Sequence, residues 1–136
     1  MKRQKKVRFK VVKRRTRMSA IINGNSSYAR RYVAGQEVYA TPGTLGIFVF
    51  KNKTAAWDWA DCWVRRRNGY WWYEKDLIVI PVLPIGRGSN IEHASLHVDS
   101  DRLADFYRTP DSERSSLVYA EVPDRTMAFP GVYVLE

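Results

Sequence analysis

Near the start of the chain, apolar and cationic residues alternate: in "VRFKVVK", Val7, Phe9 and Val11 interleave with Arg8 and Lys10. Period-two alternation predicts a half-buried strand, with Val7, Phe9 and Val11 on one side and Arg8, Lys10 and Lys13 mostly on a cationic outer face. "NGNSS" at 23–27 has the composition of a turn. "SYARRYVAG" fits a short helical turn, with Tyr28 and Tyr32 at i,i+4 and Gly35 as its stop. A short strand over 37–40, a Pro-Gly turn and a second strand over 46–50 come next.

The pattern then changes period. In "KNKTAAWDWADCWVRRR", Ala56, Trp59, Ala60 and Trp63 recur at i, i+3, i+4 and i+7, which predicts the main helix at about 54–67. Thr54 is the expected cap. Asp58 and Asp61 sit toward the positive N-terminal half, and Arg65, Arg66 and Arg67 crowd the negative end. After the aromatic turn "NGYWWYEKD", the near-continuous apolar run "LIVIPVLPIG" predicts a central or doubly covered strand. Pro81 lacks a ladder donor, so a bulge or an edge is expected there. "GRGSN" reads as a loop and "IEHASLHVD" as another strand. A short helix is expected at about 101–108 with Ser100 as cap, and "SSLVYAEVP" and "GVYVLE" read as the last two strands. These elements predict an α+β fold: a small mixed or mostly antiparallel sheet of five to seven strands, one main helix and one or two short ones.

Charge changes this picture at one end. The chain of 136 residues carries +9 overall, and all of that excess lies in the first 36 residues, which hold twelve Lys/Arg and no acid. Residues 37–136 hold eleven Lys/Arg against fourteen Asp/Glu, a net of −3. The expected organisation is a flexible basic arm at 1–6 on a single compact domain at 7–136. The single cysteine, Cys62, excludes an internal disulfide framework and reads as a packed thiol. No apolar run reaches the ~20 residues of a membrane helix, nor is there a signal-peptide core, so a cytoplasmic protein with no membrane partner is expected.

Catalytic and metal chemistry find little support in the spacing. His93 and His97 stand four apart, but Glu92 is misplaced for an H-E-x-x-H site, and as strand residues they would lie about 13 Å apart. There is no second cysteine or third histidine, so no metal or cofactor is expected. "GRGSN" lacks the Gly-Lys-Ser/Thr ending of a P-loop.

"GTLGIFVFKNKTAAWDWA" resembles the strand-to-helix element of ADP-ribosyltransferase-like folds through Gly46, Ile47, Phe48, Ala56, Trp59 and Ala60. With "LIVIPVLPIG" it also looks like small phage and prokaryotic proteins of unknown function. The resemblance implies a degenerate transferase-like domain as one reading, with a phage-encoded protein acting in a bacterial host as its setting. Glu113 and Glu121 lie near the position of the family's catalytic glutamate, and neither occupies it. Gly43 and Gly46 read equally well as turn-formers, and the alanines as a close helix–sheet contact.

The basic segment carries the stronger signal. Lys2, Arg3, Lys5, Lys6, Arg8, Lys10, Lys13, Arg14, Arg15 and Arg17 fall within the first eighteen residues, followed by Arg30 and Arg31. Cations that neutralise phosphates release counterions and bind nucleic acid with a steep salt dependence. A second patch, Arg65, Arg66 and Arg67 with Trp71 or Trp72, interleaves cations and aromatics as single-strand binders do. The expected function is therefore non-catalytic binding of a polyanion, RNA or single-stranded DNA first. The alternative is a phage-type accessory or structural protein that binds, or inhibits, a partner with an acidic surface.

Overall fold

The computed structural model describes residues 2–19, 29–42, 46–60, 77–91, 93–94, 120–121 and 123–136, with backbone alone at 93–94 and 120–121. The apolar run at 77–86 organises everything else. It forms β4 (Leu77–Ile85), flanked on one side by β1 (Arg8–Lys13) and on the other by β9 (Gly131–Val134), with β2 (Glu37–Tyr39) at the edge. β3 (Ile47–Val49), β8 (Met127–Phe129) and β5 (Ser89–Asn90) make a second sheet, and β6 (His93–Ala94) pairs with β7 (Ala120–Glu121). All the pairings between these strands are antiparallel. The α+β class and the antiparallel preference expected from sequence are found. The strands are more numerous and shorter than expected, divided among sheets of four, three and two.

Two prolines stand in the most central strand without a bulge at Pro81. The β1–β4 register runs unbroken from Arg8↔Val82 through Phe9↔Pro81 to Lys13↔Leu77, which corrects the expected bulge or edge. Hydrogen-bonding direction explains it. Phe9 exchanges both backbone bonds with Phe50 of the other sheet (3.0 and 2.7 Å), so it asks nothing of Pro81. In antiparallel pairing the N–H and C=O of one residue point to the same side. Pro81 therefore faces β9, where its carbonyl accepts from Leu135 N–H (3.1 Å) just past the strand end. The missing donor falls where the ladder is already ending.

The first of two apolar layers lies between the sheets. Val12, Ile80, Val82, Val38, Val132 and Val134 meet Ile47, Val49 and Phe129 there, with Tyr32 enclosed among them. On the opposite face, Val11 and Leu77, with Phe9 and Val79, pack against Phe50 and the helix α1 (Lys53–Trp59) through Ala55, Ala56, Trp59 and Ala60. β1 is thus covered on both faces, and the adjacent residues Val11 and Val12 are both buried. This corrects the cationic outer face: Arg8 and Lys10 share the side of Val12 and point toward the second sheet.

Local chemistry accounts for the turns and caps. Asn52, not Thr54, caps α1: its extended backbone places Oδ1 to accept from Ala55 N–H at 2.8 Å, a bond worth about 1 kcal/mol. Thr54 already lies inside the helix. Residues 61–67, the rest of the expected helix with Arg65, Arg66 and Arg67, lie outside the described residues, as do the aromatic turn with Trp71 and Trp72, the expected helix at 101–108 and Glu113. The expected helical turn around Tyr32 is instead extended. Met18 bridges Arg31, Ser19 N–H donates to Arg30 O at 3.0 Å, and Tyr32 N–H donates to Arg17 O at 2.8 Å. Gly46 has φ +118°, and a Cβ there would stand 2.5 Å from Phe129 O, so backbone proximity alone demands glycine.

Candidate polyanion-binding cleft

The cations of the first 36 residues divide into distinct environments. The segment before β1 lies against the far end of β4: Arg3 bridges Ile85, Gln4 N–H donates to Pro84 O (2.6 Å), and Gly86 N–H donates to Lys2 O (3.0 Å). Gln4 Nε2 adds a bond to Gly86 O at 2.8 Å. Where the sequence places a flexible arm, then, residues 2–4 carry backbone hydrogen bonds. Four residues of the arm, 4–7, lie opposite only 83 and 84 of β4, and this irregular junction opens a cleft.

The cleft has a volume of about 530 Å³. Lys2, Lys6 and Arg8 line it from the arm and β1, and Arg87 from the turn after β4. Lys2, Lys6 and Arg87 are exposed and Arg8 is half-buried. Gln4, Pro84, Gly86, Gly88, Met127 and Phe129 also line it, and among the described residues the lining contains no Asp or Glu. Four positive charges therefore face one concavity with no acid among the lining residues, an arrangement that concentrates potential and draws anions. Arg87 and its glycines belong to "GRGSN", which as a sequence is only a loop without P-loop spacing. The one local signal for Arg87 is an arginine two residues past an apolar central strand; that this strand end meets the basic segment is a long-range contact. β5 at Ser89–Asn90 and β8 had no such signal: the first falls in a stretch of loop composition and the second is closed by Pro130.

Other cations of the segment are engaged in holding the fold. Arg30 donates from Nε to Tyr39 O (2.8 Å), from Nη1 to Ala29 O (2.8 Å) and from Nη2 to Thr41 Oγ1 (2.6 Å). Arg17, at φ +62°, closes the turn after β1 by donating from Nε to Tyr32 O (2.7 Å) and from Nη2 to Glu136 O. Arg3 pairs with Glu37, the first acid in the chain, at 3.3 Å and lies 3.9 Å over the Tyr133 ring. Glu37 also accepts from Tyr39 Oη at 3.1 Å, and that bond pushes the tyrosine pKa up.

Lys10 is the most displaced from its expected role. The residue as a whole is half-buried, but its ammonium group is desolvated, donating to Phe48 O at 3.0 Å and standing 5.6 Å from the Tyr32 ring. Burial lowers its pKa from 10.5 to about 8. An ammonium so enclosed has no phosphate within reach.

The remaining expected contacts form a separate group. Arg14 and Arg15 occupy the turn at the other end of β1, roughly 20 Å from Arg8 at strand rise, and exposed Arg31 bridges Met18 beside that turn. Lys13 is half-buried at the strand end, and Lys5 is exposed on the arm without lining the cleft. Gly46, Ile47, Phe48, Ala56, Trp59 and Ala60, which carry the transferase-like resemblance, all take part in close packing, with Phe50 and Trp59 rings 5.4 Å apart. Among the described residues no group of three His, Cys, Asp or Glu is placed to hold a metal, and no helix is long and apolar enough to cross a membrane.

Comparison with known proteins adds no relative. No protein-family model, no curated protein and no solved structure matches this chain.

Proposed function

We propose that this chain binds a polyanion without transforming it, RNA or single-stranded DNA before any other, and that the cleft beside the N-terminal arm is the contact. The observation carrying this reading is the convergence of Lys2, Lys6, Arg8 and Arg87 on one concavity with no carboxylate among the described lining residues. Three of the four come from the acid-free segment and the fourth from a distant turn. The fold thus gathers charge beyond what the sequence segment holds. Counterion release from the bound polyanion supplies most of the affinity, so binding is steep in salt and indifferent to base order.

Fluorescence anisotropy with labelled single strands of unrelated sequence, titrated across a salt series, tests the reading. The expected result is similar affinity for each strand, falling linearly on a log–log plot against salt. Absence of binding to every strand at low salt would refute it and favour an acidic protein surface as the partner.

A further inference from the structure

The cleft's apolar floor decides which part of a nucleic acid enters it. Single-strand binders of the stacking kind offer exposed aromatic faces to the bases. Among the described residues, the one aromatic lining this cleft is Phe129, and it is only 4% exposed. Its ring is covered by Gly88, where a Cβ would stand 2.5 Å from Cε1. Pro84 is fully buried. The accessible lining is therefore lysine, arginine, glutamine and glycine, with half-buried Met127. Two described tyrosines are engaged elsewhere: Tyr133 lies beneath Arg3, and Tyr39 donates to Glu37.

Resting on the polyanion reading above, we infer that the cleft takes a run of phosphate groups and reads no base. Arg87 acts there as a phosphate ligand presented between Gly86 and Gly88. Its planar guanidinium suits two phosphate oxygens at once, which a lysine at that position would not match. Gly86 N–H is already given to Lys2 O, so side chains rather than a backbone nest supply the donors that the inference needs.

The test uses the full chain and two labelled strands of equal length, oligouridylate and an abasic deoxyribose-phosphate polymer, with inorganic polyphosphate as competitor. Wild type is expected to bind both strands within a few-fold of each other. Arg87→Gln is expected to weaken both by the same factor and to reduce the salt slope by about 0.7. Arg87 is exposed, so the variant should melt as wild type does, and a melting curve checks this. Polyphosphate should displace both strands. Displacement at far lower phosphate concentration than an unlabelled strand would name free polyphosphate as the source of the phosphate run, and the reverse order would name the nucleic-acid backbone.

A loss confined to oligouridylate, or failure of the abasic strand to bind, would overturn the inference while leaving polyanion binding intact. Unchanged affinity for both strands in Arg87→Gln would remove the cleft as the site. No binding of either strand by wild type would overturn the polyanion reading itself.

Discussion

Arg30 and Arg87 carry the same charge and lie in loops next to strands, yet the fold uses them in opposite ways. Three donors of Arg30 are fixed on Tyr39 O, Ala29 O and Thr41 Oγ1, tying residues 29–30 to the edge of β2. Arg87 stands exposed at the mouth of a cleft among three other cations. The same division separates six other cations of the basic segment. Arg3, Lys10, Arg17 and Arg30 are bound to groups of the protein itself, whereas Lys2, Lys6 and Arg8 face the cleft. A count of positive charge is therefore a poor guide to how many cations can meet a ligand. What separates the two sets is where the carbonyl groups of neighbouring strands fall.

That division can be broken experimentally, and stability effects should shrink along the series while binding effects grow. Arg30→Ala should be the most damaging to the fold. It strips donors from three acceptors in a part-buried corner, at a cost of about 2–3 kcal/mol. A denaturant melt would show the loss, and material still folded should bind single strands nearly as wild type does. A melt unchanged by the substitution would show that the clamp is dispensable.

Lys10→Met comes next, and its signature is a pH dependence. Lys10 titrates near 8 when folded and near 10.5 when unfolded. Between those values the unfolded chain holds more protons, so wild-type stability should rise with pH across that window. Below pH 8 both states are protonated and the burial penalty is fully present. Methionine removes the charge and keeps the stem, so the variant should be about 1–2 kcal/mol more stable at neutral pH, after loss of the bond to Phe48 O. Its advantage should disappear by about pH 10.5. A constant difference between the two proteins from pH 7 to 11 would mean that Lys10 is not desolvated.

Arg3→Ala should cost less than about 1 kcal/mol, because the pair with Glu37 is exposed on both sides, at 47% and 41%, and water screens it. Hydrogen exchange at Gln4 and Gly86, whose N–H groups hold the arm to β4 and Lys2, should quicken in this variant. Exchange as slow as in wild type would show that the backbone bonds hold the arm unaided. At the far end of the series, Arg87→Gln should leave stability within about 0.5 kcal/mol of wild type, and its effect should lie almost entirely in binding.

How much of this was visible beforehand depended on the kind of signal. The continuous apolar run at 77–86 announced a central strand, and the i, i+3, i+4 spacing of Ala56, Trp59 and Ala60 announced the helix face, because burial imposes those periods directly. β5 was hidden inside a Gly- and Ser-containing stretch that reads as a loop, and β8 is three residues closed by Pro130; they form because β3 pairs with β8 and β8 with β5. Alternation in β1 also misled. It correctly implied two unlike faces, but the face read as solvent-exposed was the one covered by the second sheet. Lys10 could sit there only because Phe48 O offers an acceptor from another strand, and no local pattern encodes that. Of the cleft, Lys2, Lys6 and Arg8 were legible as charge, whereas Arg87 joined them through the antiparallel return of the arm along β4, a contact spanning more than eighty residues of sequence.

On the proposed reading, the four cleft cations bind the ligand and leave the fold untouched. The most direct test is the salt dependence of single-strand binding for wild type and for one variant carrying Gln at positions 2, 6, 8 and 87, each paired with a thermal melt. The log–log slope is expected to become shallower by about 3, the sum of four phosphate contacts, with an unchanged melting temperature. An unchanged slope would contradict it by placing the binding cations elsewhere in the chain. A large fall in melting temperature would contradict it too, since the cleft residues would then be holding the fold as Arg30 does.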